Sequence, residues 1–188
     1  MKKRILIMCC FLSTLIWANN GRTTISLNGE WDFDQTEQAF PPRKFTRKIP
    51  VPVVELTEQS NFLERDYKPM YNWYKRKIFI DEKLKGEQLF LTIKKSQYVT
   101  RVFVNGHQMG ASIECYTPID VNITSAIKYG AENEILIQVG DRAWLPSEAA
   151  GSTDKEKVHY LPGIWDDVFI TVTGKIRVDK ALFLPSLA

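Results

Sequence analysis

Residues 98–110 read YVTRVFVNGHQMG, and this stretch decides the fold class. Its first half has the period of two that is typical of a half-buried β-strand, with one face made by Tyr98, Thr100, Val102 and Val104. The dipeptide Asn105-Gly106 follows directly and favours a type I′ turn, because both central residues of that turn need positive φ. The stretch therefore predicts a β-hairpin and, with it, an antiparallel sheet.

The rest of the chain repeats this pattern. Alternation recurs in residues 74–80, 89–94, 135–139 and 168–172, and further strands are predicted at residues 24–33, 119–123 and 176–184. Only one short helix is predicted, through residues 125–129, with Thr124 as its N-cap and Gly130 at its end. Because no helices alternate with the strands, the sequence predicts an all-β, antiparallel β-sandwich of jelly-roll type.

The first eighteen residues have the pattern of a secretory signal peptide. A basic start of Lys2, Lys3 and Arg4 precedes an apolar run over residues 5–16, and Ala18 suits a cleavage site. The run is too short for a comfortable membrane span. We therefore expect residues 1–18 to be removed and residues 19–188 to form one domain, exported to the periplasm or secreted by a bacterium.

Removal of that segment changes the composition. The remaining 170 residues carry 22 Lys and Arg against 22 Asp and Glu, and Cys115 is the one cysteine left. A neutral chain gives no electrostatic case for nucleic acid or an anionic membrane as partner. A chain of 188 residues also leaves no room for a catalytic (β/α)8 barrel, which needs about 250 residues.

The sequence offers few groups for catalysis, metal binding or cofactor binding. The histidines, His107 and His159, stand in no metal-ligand spacing, and no phosphate-binding glycine loop is present. Asp166 and Asp167 are adjacent, so an extended chain points them to opposite faces and they cannot flank one glycosidic bond. We therefore expect Cys115 to be a buried hydrophobe and predict no catalytic residue, metal or cofactor.

Aromatic residues in long loops are the remaining candidates. Long loops are predicted at residues 41–62 and 142–162, and loops of this length are often functional. Sugars present apolar C–H faces to aromatic rings, while charged and amide groups bind their hydroxyls. The candidate carbohydrate-binding residues are Tyr116, Asp141, Arg142, Trp144 and Tyr160. The alternative is that these rings seal the ends of the sandwich core.

Four stretches in order resemble the N-terminal sugar-binding domain of glycoside hydrolase family 2, the β-galactosidase, β-glucuronidase and β-mannosidase group. They are SLNGEWDF (26–33), YNWYKR (71–76), VFVNGHQMG with YTPI (102–110 and 116–119) and LPGIWDDV (161–168). One departure is Asp166, where the family usually has Arg. The resemblance implies a galactose-binding-domain-like jelly roll, followed in the family by an immunoglobulin-like domain and a barrel that carries the catalytic Glu pair.

Three functions are compatible with these observations. The first is a non-catalytic sugar-binding and scaffold domain of an exported glycoside hydrolase, which binds carbohydrate weakly or indirectly beside the downstream domains. The second is a free-standing carbohydrate-binding module. The third is a structural partner of a separately encoded catalytic chain. In each case we expect this chain alone to hydrolyse no glycoside.

Overall fold

The computed structural model describes residues 22–53, 71–115, 117–140, 142–149, 162–178 and 181–184, and these residues hold twelve β-strands. The first six strands are β1 (Arg22–Ser26), β2 (Gly29–Thr36), β3 (Arg47–Val51), β4 (Tyr71–Ile80), β5 (Gln88–Ile93) and β6 (Ser96–Gln97). The others are β7 (Thr100–Val104), β8 (His107–Ser112), β9 (Ile119–Asn122), β10 (Ala131–Val139), β11 (Gly163–Ile164) and β12 (Val168–Thr173). No helix in the described ranges is long and apolar enough to cross a membrane.

The strands form two main antiparallel sheets and one two-stranded ribbon. The small sheet has the order β1-β12-β5-β9, the large sheet has the order β3-β2-β4-β10-β7-β8, and β11 pairs with β6. Neighbouring strands are often far apart in the chain, since β1 pairs with β12 and β4 with β10. The predicted all-β antiparallel fold is therefore confirmed.

The two sheets share one hydrophobic core. The small sheet contributes aliphatic side chains such as Leu91 and Ile170, and the large sheet adds rings, of which Trp31, Phe33 and Tyr74 are buried. Phe33 and Tyr74 meet edge to face with their ring centroids 5.0 Å apart. Alternation of apolar and polar residues along each strand places one face of each sheet in this core, as a β-sandwich requires.

The hairpin predicted at Asn105-Gly106 is confirmed. Both residues have positive φ, 49° and 84°, and they join β7 to β8. The Asn105 side chain also donates to the Ala126 carbonyl at 2.7 Å and to the Asn133 side chain at 2.8 Å. The turn residue therefore anchors the hairpin to the neighbouring loop as well as reversing the chain.

Four details of the predicted elements were wrong. Residues 24–33 form two strands, and residues 47–51 of a predicted loop form β3. Residues 176–178 and 181–184 are not strands, because they pair with no neighbour in the described part of the chain. The helix is a single 3-10 turn, Thr124–Ala126, and its cap is absent because the Thr124 hydroxyl instead accepts from the Leu89 amide.

The chain crosses from the small sheet to the large one at Leu27-Asn28, and Asn28 fixes this crossing. Its Nδ2 donates to Asp167 Oδ1 at 2.8 Å, and its Oδ1 accepts from the Val168 amide at 3.0 Å. Gly29 follows with φ of 122°, a conformation that L side chains rarely adopt. Asn28 therefore joins the first family-like stretch to the last one, where β12 begins.

We predict that Asn28→Ala lowers the free energy of unfolding by about 1–3 kcal/mol, because it removes two hydrogen bonds and leaves the Val168 amide without its acceptor. Urea denaturation of the full chain measures the change. Gln108→Ala removes an exposed amide side chain of similar size and should change stability by less than about 0.5 kcal/mol. Equal stability of the two variants would contradict the role given to Asn28.

Candidate carbohydrate-binding site

Trp144, the aromatic residue chosen from the sequence, lies directly after the end of β10. The chain passes Gly140, whose amide donates to the Val99 carbonyl at 2.7 Å, and then forms a 3-10 turn over Arg142–Trp144. This turn lays the indole of Trp144 on the ring of Tyr71, with centroids 4.1 Å apart and planes 24° apart. We call this stack of Tyr71 and Trp144 the loop-end pair.

The loop-end pair closes one end of the large sheet. Tyr71 is buried, while Trp144 is only half-buried and keeps part of its ring in solvent. A Cβ atom on Gly140 would lie 3.5 Å from the Tyr71 ring and 3.6 Å from Trp144, so the pair packs closely over the glycine. The stack therefore covers the core end and also presents an aromatic surface to solvent.

The structure brings only part of the predicted site together. Trp144 is described with its side chain, and Arg142 stands two residues before it in the same turn. The other three candidates, Tyr116, Asp141 and Tyr160, lie outside the described residues, as do the predicted signal segment and His159. All five candidates, Tyr116, Asp141, Arg142, Trp144 and Tyr160, remain predictions as ligand-binding residues.

The sequence predicts that Asp166 and Asp167 point to opposite faces, but the structure brings both carboxylates to one lysine, with Asp166 Oδ1 also 3.9 Å from Lys94 Nζ. Asp166 Oδ1 accepts from the Asp167 amide at 2.7 Å, and Asp167 Oδ2 lies 2.5 Å from Lys94 Nζ. The hydrogen bond from Lys94, and then the one from Asn28, hold the pKa of Asp167 below its ordinary value. A general acid needs a raised pKa, so Asp167 is unsuited to protonate a leaving group.

The described histidine and cysteine, His107 and Cys115, do not form a site together. His107 is exposed at the first position of β8, beside the hairpin turn. Cys115 is buried, and its Sγ lies 3.7 Å from the Ile113 carbonyl. Within the described ranges no three His, Cys, Asp or Glu side chains cluster as they would around a metal ion.

Sequence reasoning missed the aromatic residues on the outer face of the large sheet. Tyr71 and Trp73 share a face of β4 with Lys75 and Lys77, and Phe103 lies on the outer face of β7 between two core valines. The available signal was an aromatic residue at a position where alternation predicts a polar one. The sequence pattern predicts a start of this strand at residue 74, three residues late, which leaves Tyr71 and Trp73 outside it.

Comparison with known proteins identifies the domain type. The family model described as "Glycosyl hydrolases family 2, sugar binding domain" matches residues 24–173. A β-galactosidase of Thermoanaerobacter pseudethanolicus is 33% identical over 162 residues, which cover 84% of this chain and 20% of that protein. A β-glucuronidase of Bacteroides fragilis is 25% identical over 154 residues, which cover 82% of this chain and 21% of that protein.

Solved structures agree on the fold. The β-D-glucuronidase of Dictyoglomus thermophilum is similar with a TM-score of 0.64 and 25% identity, over 83% of this chain and 29% of that one. A β-galactosidase of Bacteroides fragilis, described as putative in its structure title, has a TM-score of 0.65 and 22% identity, over 82% of this chain and 24% of that one. The chain thus spans about a fifth of the length of the curated relatives it matches.

The Asp167–Lys94 pair generates a pH prediction. Because the pKa of Asp167 is lowered in the folded chain, the pair stabilises fully above the unfolded pKa of about 3.9 and loses this effect as pH falls through the folded pKa. Asp167→Asn keeps the hydrogen bond from Asn28 and removes the charge. We expect the wild type to lose more free energy of unfolding than Asp167→Asn between pH 5 and pH 3 in urea titrations.

Lys94→Met is the matched control for this comparison, because it removes the positively charged partner of the same ion pair. It should lose less stability than the wild type but more than Asp167→Asn, because the hydrogen bond from Asn28 still lowers the pKa of Asp167. Equal losses in the wild type and both variants would contradict the assignment of Asp167 to this pair.

Proposed function

Because this chain belongs to glycoside hydrolase family 2, through that family's sugar-binding domain, we propose that it is the non-catalytic N-terminal domain of an exported glycoside hydrolase that degrades carbohydrate. The observation that carries the proposal is the match over residues 24–173, which takes in all twelve strands except the first residues of β1. In this proposal the domain binds sugar weakly and packs beside a downstream catalytic barrel of the same hydrolase.

The settings of the two adjacent carboxylates support a non-catalytic role. A retaining glycosidase needs two carboxyl groups about 5–5.5 Å apart on either side of the scissile bond, one of them with a raised pKa. Asp167 is instead paired with Lys94, and Asp166 accepts from the backbone amide next to it. The proposal therefore places the catalytic carboxylates outside this chain.

Relatives of this chain point to β-linked substrates for the whole enzyme. The similar proteins named above are β-galactosidases and β-glucuronidases, so we propose a β-linked hexose or uronic acid as the sugar. Export is proposed from the basic start, apolar run and Ala18 of the first eighteen residues.

A free-standing carbohydrate-binding module is the second candidate, and the half-exposed Trp144 of the loop-end pair favours it. The coding sequence beyond residue 188 separates the two. An in-frame barrel supports a domain of a hydrolase, while a stop codon with no neighbouring barrel gene supports the module.

We predict that the purified chain does not turn over nitrophenyl β-galactoside or nitrophenyl β-glucuronide. Release of nitrophenol is the measurement, and any background rate should be the same in the double variant Asp166→Asn, Asp167→Asn. Turnover that copurifies with the wild-type chain and disappears in the double variant would show that the chain is itself an enzyme and would overturn the proposal.

A further inference from the structure

A groove lies on the outer face of the large sheet, and its floor includes Trp73, which is two residues along β4 from Tyr71 of the loop-end pair. Its volume is about 590 Å³, which is within the range of small-molecule sites. The floor is made by β4, β10 and β7, and one wall is the segment that follows β2. The residues that define it are Phe40, Trp73, Arg101, Phe103, Glu134 and Leu136.

Strand register sets the floor of this groove. Across the sheet, Trp73 stands beside Gln138, which stands beside Arg101. In the next row toward the hairpin, Leu136 stands beside Phe103. Alternation turns these side chains to the outer face, so the row of Trp73, Gln138 and Arg101 lies next to a row of Lys75, Leu136 and Phe103.

The wall that carries Phe40 is attached to this floor. Trp73 Nε1 donates to the Thr36 hydroxyl at 2.7 Å, and that hydroxyl donates to the Gln38 carbonyl at 2.7 Å. These two bonds hold the segment after β2 above Trp73, whose ring is 6.1 Å from that of Phe103. Phe40 is 71% exposed, so its ring faces solvent at the rim of the groove.

The groove also has polar side chains, and a hydrogen bond to a neighbouring strand orients one of them, Arg101. Arg101 donates to Gln138 Oε1 at 2.6 Å, which fixes the plane of the guanidinium group. No carboxylate pairs with Arg101 in the part of the chain that the structure describes, and Gln138 Nε2 is buried there without an acceptor. Arg101 and Glu134 thus place hydrogen-bond donors and acceptors beside an aromatic rim.

We propose that this groove is the sugar-binding surface of the domain and that it holds a β-linked oligosaccharide, an inference that rests on the sugar-binding role proposed above. A hexose offers an apolar C–H face to Phe40 and Phe103 and hydroxyls to Arg101 and Glu134. A purely apolar ligand would desolvate Arg101 and Glu134 without giving them hydrogen bonds, so these two side chains favour a ligand that carries hydroxyl groups.

The test is a glycan array probed with the biotinylated full chain on tetravalent streptavidin, because multivalent display makes weak binding measurable. The array carries β-linked oligosaccharides that end in galactose, glucuronic acid or mannose. We expect binding to at least one of these classes, and about tenfold weaker binding by Phe40→Ala. Phe40 is exposed, so this variant should fold normally.

Two variants serve as matched controls. Phe79→Ala removes an equally exposed ring from the outer face of β4 outside the groove and should bind like the wild type. Trp144→Ala tests the loop-end pair. Binding that is lost in Trp144→Ala and kept in Phe40→Ala would contradict the assignment of sugar binding to the groove, but it would still support a sugar-binding role for the domain.

Absence of binding to every glycan on the array would contradict both the assignment of sugar binding to the groove and the sugar-binding role of the domain. In that case a concentration-dependent dimer in analytical ultracentrifugation, lost in Phe40→Ala, would identify the groove as a contact between copies of the chain. Neither the absence of glycan binding nor the formation of a dimer bears on the proposed non-catalytic role, which the nitrophenyl glycoside assay tests separately.

Discussion

The structure depends on the hydrogen bonds of one side chain, Asn28, at the place where the chain leaves one sheet for the other. Leu27 still pairs with β12 through its amide, 2.8 Å from the Val168 carbonyl. Asn28 then binds Asp167 and the Val168 amide, and with the next residue, Gly29, the chain is part of the large sheet. The position of each sheet over the other is therefore set where the first and last family-like stretches meet.

Arg76 brings a third family-like stretch to the same place. Its guanidinium donates to the carbonyls of Asn28 and Glu30, both at 3.3 Å, and lies 5.9 Å from the centre of the Trp31 ring. These hydrogen bonds favour the observed packing of the sheets, because an alternative arrangement would break several partly buried hydrogen bonds together. The residues that made the family recognisable are thus mainly those that hold the sandwich together.

The outer face of the large sheet gains its shape from this arrangement. Once β2 is fixed at its start, its last residue, Thr36, lies against Trp73 and holds the following segment over the sheet. The groove is therefore a product of strand register and one threonine hydroxyl. The loop-end pair forms instead at the end of β10, where the turn over Arg142–Trp144 lays the Trp144 ring on Tyr71.

Much of the fold could be predicted from local pattern, and the functional surfaces could not. The hairpin at Asn105-Gly106 needed only a strand and a turn that requires positive φ, and both are local signals. The strand β3 was missed because Pro50 and its neighbours read as a loop, while pairing with β2 determines their conformation. The groove joins Phe40, Trp73 and Phe103, and only strand pairing shows that residues so far apart in sequence are neighbours.

The central claim is that this family 2 domain binds sugar on the outer face of its large sheet. The most direct measurement is an amide ¹H–¹⁵N NMR titration of the full chain with a β-linked galacto-oligosaccharide and, separately, a β-linked glucuronic acid oligosaccharide. The account predicts chemical-shift changes with at least one of them, concentrated at Phe40, Arg101, Phe103 and Leu136. Changes confined to Tyr71 and Trp144, or no changes with either sugar, would contradict it.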